Sequence, residues 1–583
     1  MSSRELITEH LDLWTGAVMK KSGSGRGSNG KTELTGVKKL RELILELAVR
    51  GKLVEQNPTD EPASKLLERV RAEKLHLIKQ GEIKKRRKLP ELSEMTKPFN
   101  LPSSWEWSQL EDLGRDWGQK TPKDDFSYID VTSVDSLRGE ITQPSILSAE
   151  EAPSRARKIV SEGTLIYSTV RPYLQNIAVI ESKIEPEPIA STAFAILHPL
   201  AGMPARFYLH YLRSPAFVRY VESVQTGIAY PAINDKQFFS GLVPIPPLEE
   251  QHRIVQKVDE LMALCDRLEQ QTSDQLEAHE TLVDTLLGTL TQSENATELA
   301  DNWARLAAHF DTLFSTEQSI DKLKQSILQL AVMGRLVEQS PLTEPFDPTD
   351  LTFKRQRETL LKERKVKYRE FGSHPDIKSY LHDIPDLWSW QALSSVVFFQ
   401  EGPGIRKWQF RSSGVKLLNV SNILPDGSLD FENSDKHLDP EEFKSKYQHF
   451  AIQPGDLLFA SSGGSWGKSS WFEEPGYTVM LNTSTVRLRF FSDSFCSGYL
   501  KHFLDSQCFK SQMQVQLVGM QPNFGSSHLG RVFIPIPPIE EQHRIVQKAD
   551  ELMALCDQLK ERLSQANETR CQMAEAIVEG ALN

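Results

Sequence analysis

The stretch SGGSWGKS, Ser462 to Ser469, follows the strand-like run DLLFAS and nearly spells a phosphate-binding loop. Such a loop needs glycine at its first position and a helix behind it, whose N-terminal N–H groups hold the phosphate. Ser462 stands in place of that glycine, and the following SWFEEPG does not read as a helix, so nucleotide binding is set aside. A Gly/Ser loop carrying Trp466 and Lys468 suits approach to a DNA backbone instead. The word PIPP, at Pro244 and again at Pro535, is near in form to the Asn/Asp-Pro-Pro-Tyr loop of adenine methyltransferases. Ile245 and Ile536 fill its polar position, so the group that would hold the amine is missing. His252 and His543 share one helical register and read as helix-face residues. No His/Cys set has metal spacing, so no metal site and no catalytic residue is assigned to this chain.

The surrounding composition narrows the class. The 583 residues exceed one core and imply several domains. No apolar run approaches the roughly 20 residues of a membrane helix, and the opening MSSRELITEHLDLWTGAV reads as no signal peptide. Five cysteines, an odd number without a CxxC pair, fit a reduced, cytoplasmic compartment. A net charge of −11 means that nucleic-acid binding must rest on local patches or on partners.

The elements that would position any such patch are said twice. Val243–Leu268 and Ile534–Leu559 match at 22 of 26 positions, at an offset of 291. LRELILELAVRGKLVEQNP from Leu40 matches LKQSILQLAVMGRLVEQSP from Leu323, and Trp105 and Trp107 fall on Trp388 and Trp390. Each half therefore has a helical lead-in, a Trp-x-Trp start, a middle region and a proline-led EEQ helix. The middle regions share little beyond short strand cues such as GTLIYS and GDLLFA.

After the prolines, Ile254, Val258, Leu261, Cys265 and Leu268 recur at steps of four and three, as do Ile545, Ala549, Leu552, Cys556 and Leu559. This is a heptad seam. Ordinary amphipathic core helices in separate domains would show such a seam too, but the duplication favours two long helices packed on each other across a pseudo-twofold axis, and antiparallel packing would put the middle regions at opposite ends of a rod. Basic tracts precede both middle regions: 16 Lys/Arg against 9 Asp/Glu in 31–88, ending in KKRRK, and 8 against 3 in 354–370. A basic strip beside a near-neutral domain fits phosphate contacts that position and base contacts that specify.

This order, carried by PIPPLEEQHRIVQKVDELM and PIPPIEEQHRIVQKADELM, LELAVRGKLVEQ and LQLAVMGRLVEQ, and the two Trp-x-Trp starts, resembles the specificity subunit of type I restriction-modification enzymes. KSGSGRGSNGK (Lys21 to Lys31) is similar to the longer branch with an N-terminal extension. The resemblance implies an α+β chain of two α/β target recognition domains separated by long antiparallel helices in a coiled coil. Its expected divisions are 1–34 (extension and linker), 35–100 (helical lead-in), 101–243 (first recognition domain), 244–383 (central helices), 384–534 (second recognition domain) and 535–583 (final helix). It implies a non-catalytic subunit in which each domain reads half of a split site on double-stranded DNA. Two methyltransferase and two restriction subunits would bring S-adenosylmethionine, ATP and Mg2+; this chain would need no cofactor and no membrane.

Base contacts call for Arg, Lys, Asn, Gln or Ser in Gly/Pro/Ser-rich loops. The candidates are Lys120, Lys123, Arg171, Tyr173, Gln175 and Asn176 in the first domain. In the second they are Arg406, Lys407, Ser461, Ser465, Lys468, Gln521 and Asn523. The residues alone leave two other readings open: a self-sufficient methyltransferase or nuclease, which the missing motifs oppose, and a coiled-coil scaffold or stand-alone DNA-binding protein.

Overall fold

The structure, a computed structural model, describes residues 7–20, 32–83, 96–227, 229–294, 296–340, 343–372, 374–517 and 522–582. Two compact units emerge, one of residues 1–276 with 565–583 and one of residues 277–564. The helical frame comprises, in chain order, α1 (Leu11–Gly16), α2 (Thr35–Val49), α3 (Ala63–Lys79), α4 (Ala205–Arg213), α5 (Pro215–Val224), α6 (Leu248–Gln292), α7 (Ala296–Ala308), α8 (Glu317–Val332), α9 (Leu351–Glu363), α10 (Ser497–Asp505), α11 (Gln507–Gln514) and α12 (Ile539–Leu582). The long helices α6 and α12, of 45 and 44 residues, start directly after their proline pairs, with two glutamates in the first turn at the positive end of the helix dipole.

Each unit repeats one set of helix contacts. In the first, Ile254, Val258, Leu261 and Cys265 share a core with Leu40, Leu43, Ile44 and Leu47 of α2 and with Ala574 and Val578 from the end of α12, and Leu268 packs against it. Arg41 pairs with Asp266 and Glu269 at 2.7 Å, and Lys39 with Glu575 at 3.6 Å. In the second, Leu323, Ile327 and Leu330 of α8 join Cys556 of α12 and Val283, Leu287 and Leu290 from the end of α6, with Leu552 and Leu559 against them. Lys324 pairs with Asp557 and Lys322 with Asp284, both at 2.7 Å. Ile545 and Ala549 are fully buried, and Ile545 belongs to the core of the second sheet domain. The expected seam is present, each long helix meeting the end of its twin within one unit. The heptads also bury against the lead-in helix, because α2 and α8 carry their own apolar stripe at three- and four-residue steps. The compact units divide both long helices, at 276/277 and 564/565.

The duplication also reaches further toward the N-terminus than expected. Thr8, Glu9, Asp12 and Trp14 reappear at an offset of 289 as Thr297, Glu298, Asp301 and Trp303. Thr8 to Trp14 lie within the expected extension, where α1 is much shorter than α7. Trp14 is fully buried, with the Trp14 carbonyl lying where a Cβ on Gly36 would stand, whereas Trp303 is 37% exposed. The Gly/Ser-rich 21–31 lies outside the described residues.

The strands used here are β1 (Glu106–Gln109), β2 (Gly114–Arg115), β3 (Phe126–Ile129), β4 (Val134–Asp135), β5 (Glu140–Ile141), β6 (Ser145–Leu147), β7 (Ala156–Ile159), β8 (Leu165–Ser168), β9 (Ile177–Val179), β10 (Pro188–Ser191), β11 (Phe194–Pro199) and β12 (Leu242–Ile245) in the first unit. The second has β13 (Ser389–Ala392), β14 (Val397–Glu401), β15 (Val415–Leu418), β16 (His437–Leu438), β17 (Leu457–Ala460), β18 (Ser469–Trp471), β19 (Val479–Leu481), β20 (Thr485–Phe490) and β21 (Phe533–Ile536). The main sheet runs β2-β11-β8-β9-β5-β4 in the first domain and β14-β20-β17-β18 in the second. The smaller sheets run β6-β3-β10-β7 and β16-β15-β19, each with one parallel pair, β3 with β10 and β15 with β19. The inserts thus share a topology that their sequences hide. Their ends meet in two-stranded ribbons, β1 with β12 and β13 with β21, where Pro244 and Pro535 sit without breaking a wider ladder.

The three repeated words converge on one carboxylate in each unit. Trp105 donates its indole N–H to Glu250 at 3.1 Å, and Gln56 its amide at 2.5 Å. Trp388 and Gln339 do the same to Glu541, at 3.1 and 2.7 Å. The neighbouring Gln251 and Gln542 donate to the carbonyls of Pro246 and Pro537, both at 3.0 Å. Gly51 and Gly334 end α2 and α8 with positive φ, and a Cβ on either would stand 2.6 Å from Pro102 or Pro385. Tyr211 anchors to the Leu242 carbonyl, as Tyr499 does to that of Pro535.

A second duplicated contact joins each domain to its long helix. His210 lies 3.1 Å from Asp259, and His502 lies 2.9 Å from Asp550, both off-line for a hydrogen bond. Burial holds both imidazoles below their ordinary range against the pull of the aspartates. The unfolded chain therefore binds these protons first as pH falls below about 6.5, so stability present at neutral pH is lost from there down through the depressed folded values. Melting midpoints measured across this range should fall, and His210→Gln with His502→Gln should flatten the fall. An unchanged slope would show that other groups carry the acid sensitivity.

Candidate nucleic-acid interface

The candidate loops gather where the main-sheet strands end. In the first domain the chain leaves β8 and is laced to the segment before residue 234. Thr169 donates its N–H to the Ala193 carbonyl (2.8 Å), Ile233 donates to the Thr169 carbonyl (2.9 Å), and Arg171 donates to the Pro231 carbonyl (2.8 Å). After β17 the second domain repeats the pattern: Ser461 to Ser484 (2.9 Å), Phe524 to Ser461 (2.8 Å) and Gly463 to Pro522 (3.0 Å). Val170 bridges Ala232 as Ser462 bridges Asn523. Two candidate sets chosen from unlike sequences therefore lie on equivalent loops.

The side chains presented differ. Arg171 and Gln175 take positive φ, 49° and 50°, on either side of a short 3-10 turn, Pro172–Leu174. Arg171 lies 5.0 Å over the Tyr230 ring. Tyr173 is exposed, and Gln175 and Asn176 are half-buried. In the second domain Gly463–Ser465 form the turn, Trp466 packs on Phe524 at 4.9 Å, Lys468 is half-buried and Asn523 is exposed. A strand, β18, follows the SGGSWGKS loop where a phosphate loop would require a helix. Ser461 is only 2% exposed, so it anchors the loop and is corrected as a base contact. Gln521 lies outside the described residues.

The remaining candidates lie on the loops after β2 and β14. Lys120 pairs with Glu187, which reduces its value as a phosphate contact, and Lys123 is exposed. Buried Lys158 bridges Asp116 (3.4 Å) and Asp235 (3.2 Å), tying this loop to the laced segment. Arg406 and Lys407 are exposed, on a turn fixed by Gln409, whose amide oxygen accepts the Arg406 N–H at 2.9 Å. Between them and Gln409, Trp408 is 74% exposed. Trp408, Leu174 and Tyr230 are exposed apolar or aromatic neighbours of the candidates that the sequence reading did not name; a bare Arg-Lys-Trp run was the available signal for the first of them. Nearby, the neutral His528 ring accepts the Gly525 N–H at 3.1 Å, its pKa lowered by burial and by Arg531.

The basic tracts divide. Lys84–Lys88 lie outside the described residues. In 354–370, Arg364 is buried 3.5 Å from Asp456 and does not serve as a free cation, and Arg357 lies over the Tyr368 ring. Lys365, Lys367 and Arg369 line a cleft of about 310 Å³ whose other wall is β14 and Ser526.

The comparisons agree with this architecture. The profile of the family described as "Type I restriction modification DNA specificity domain" matches residues 102–278 and 417–568. The chain is 36% identical to the type I restriction enzyme EcoAI specificity subunit of Escherichia coli and 35% identical to the EcoEI specificity subunit of the same organism, covering 100% of both sequences in each case. A solved chain from work on the complex assembly and conformational transition of the type I R-M system matches at a TM-score of 0.51 and 22% identity, over 83% of this chain and 99% of that one.

Proposed function

Because the chain belongs to the type I restriction-modification DNA specificity family, and so acts in DNA sequence recognition, we propose that its two domains divide one split, asymmetric site between them. The observation that carries this reading is the repeated backbone lacing at Thr169–Ile233 and Ser461–Phe524, which holds unlike side chains in equivalent places. Equal frames with unequal tips read unequal half-sites. The exposed cations Lys123, Arg171, Arg406 and Lys407 and the half-buried Lys468 contact phosphates or base edges, and the strip Lys365–Lys367–Arg369 follows the backbone. In this reading the chain performs no chemistry. Two methyltransferase subunits using S-adenosylmethionine modify adenine, and two restriction subunits using ATP and Mg2+ translocate and cut, all in the cytoplasm.

Co-expression with the neighbouring methyltransferase subunit in a host lacking adenine methylation, followed by genome-wide mapping of modified adenines, tests this directly. One split motif is expected. Exchanging residues 101–243 for those of a relative should change one half of the motif and leave the other intact; change in both halves would refute the division of labour.

A further inference from the structure

The turn at Pro172–Leu174 is unlike an ordinary polar loop. Tyr173 is 57% exposed and Leu174 47%, with Val170 and Tyr230 exposed beside them. Exposed apolar groups on a mobile loop can fold away; these cannot. Pro172 is buried and fixes its own φ, and Leu174 donates to the Arg171 carbonyl and Gln175 to that of Pro172, both at 3.0 Å. Two non-glycine residues in left-handed conformation flank the turn, a strain that the lacing to Pro231 and Ala232 maintains. Arg171 over Tyr230 sets a cation at the base of this apolar tip.

We propose that Tyr173 and Leu174 are a wedge that enters the duplex between adjacent bases of the half-site read by the first domain. The inference rests on the reading above and deepens it. A rigid apolar tip beside a cation suits a base step: the cation meets phosphate while the tip takes up the hydrocarbon faces that unstacking exposes. Part of the specificity of the first domain then comes from how readily that step deforms, without hydrogen bonds to its edges. The second domain presents Gly463 and Gly464 at the equivalent turn and cannot act in this way there. At this turn the two domains thus present different chemistry.

The test uses the assembled methyltransferase complex and its mapped site, with a fluorescent adenine analogue placed at successive steps of the half-site, outside the adenine that is modified. Wild type should brighten one step on binding. Tyr173→Ala with Leu174→Ala should abolish that signal, weaken the specific duplex about 10–100-fold, leave the salt dependence unchanged and relax the motif at that step. Tyr173→Phe with Leu174→Met should retain the signal. An unchanged signal or affinity in the alanine variant would overturn the wedge. So would loss of the methyltransferase subunit on size exclusion, which would assign the tip to a protein partner. A wild-type complex without any split motif would instead refute the parent reading.

Discussion

Arg487→Ala should cost the second recognition domain about 3–5 kcal/mol and erase its half of the recognition motif. Arg487 is 1% exposed in the middle of β20. It donates to Gln400 (2.6 Å), to the His449 carbonyl (3.0 Å), to the Ala451 carbonyl and to Asp456, which lies 3.3 Å away and is itself buried. Burial lowers its pKa to about 10, so it remains charged at neutral pH. Alanine would leave a buried carboxylate with only Arg364 at 3.5 Å and the Gln453 N–H, and two carbonyls without their donor. Against a typical stability of 5–15 kcal/mol this is a large fraction. Denaturant unfolding would measure it, and adding Asp456→Asn should recover part of the loss because it removes the stranded charge. A loss under about 1 kcal/mol would mean that the site relaxes or hydrates, and that the pair does not hold the domain.

Glu250→Ala and Glu541→Ala should each cost about 2–4 kcal/mol, and each should loosen its own unit. Either change strands an indole N–H and a glutamine amide and removes a first-turn carboxylate from a long helix. Burial raises the pKa of both glutamates despite their donors, so the charge itself is poorly solvated there. The acceptor geometry therefore carries the effect. Glu250→Gln should stay within about 1 kcal/mol of wild type, since Gln56 can turn its amide to match. Hydrogen exchange would separate the units: lost protection near Trp105 in the first variant and near Trp388 in the second. Loss spread over both units from either change would contradict the local role.

The helical frame was legible because it depends on periodicity. Steps of four and three announced α6 and α12, and Pro246-Pro247 and Pro537-Pro538 marked where they begin. The words VEQ, Trp-x-Trp and EEQ were visible as repeats, but their meeting at Glu250 and Glu541 was not, since a hydrogen bond between residues 194 apart leaves no local trace. The shared topology of the inserts was hidden for a related reason. Sheet cores need only apolar residues alternating with a partner, so Ile189 and Met480 can occupy like places without matching. Polar loop residues were found on the equivalent loops, yet the rule that found them excluded Leu174 and Trp408, because apolar groups are ordinarily read as core, and it passed over Tyr230 although Tyr173 was taken. Ser461 was chosen for its type alone and is buried.

The core of the first unit is closed by Ala574 and Val578, which lie almost at the other end of the chain. On the ribosome, residues 277–564 are made between the two parts, which takes roughly 15–60 s at about 5–20 residues per second. For that time Leu40, Leu43 and the first turns of α6 wait with part of their apolar face in water. The newborn chain is thus most prone to aggregate while its first half is finished and its last helix is not. A chaperone that shields the α2 face should raise the yield of intact protein more than one acting on the completed chain.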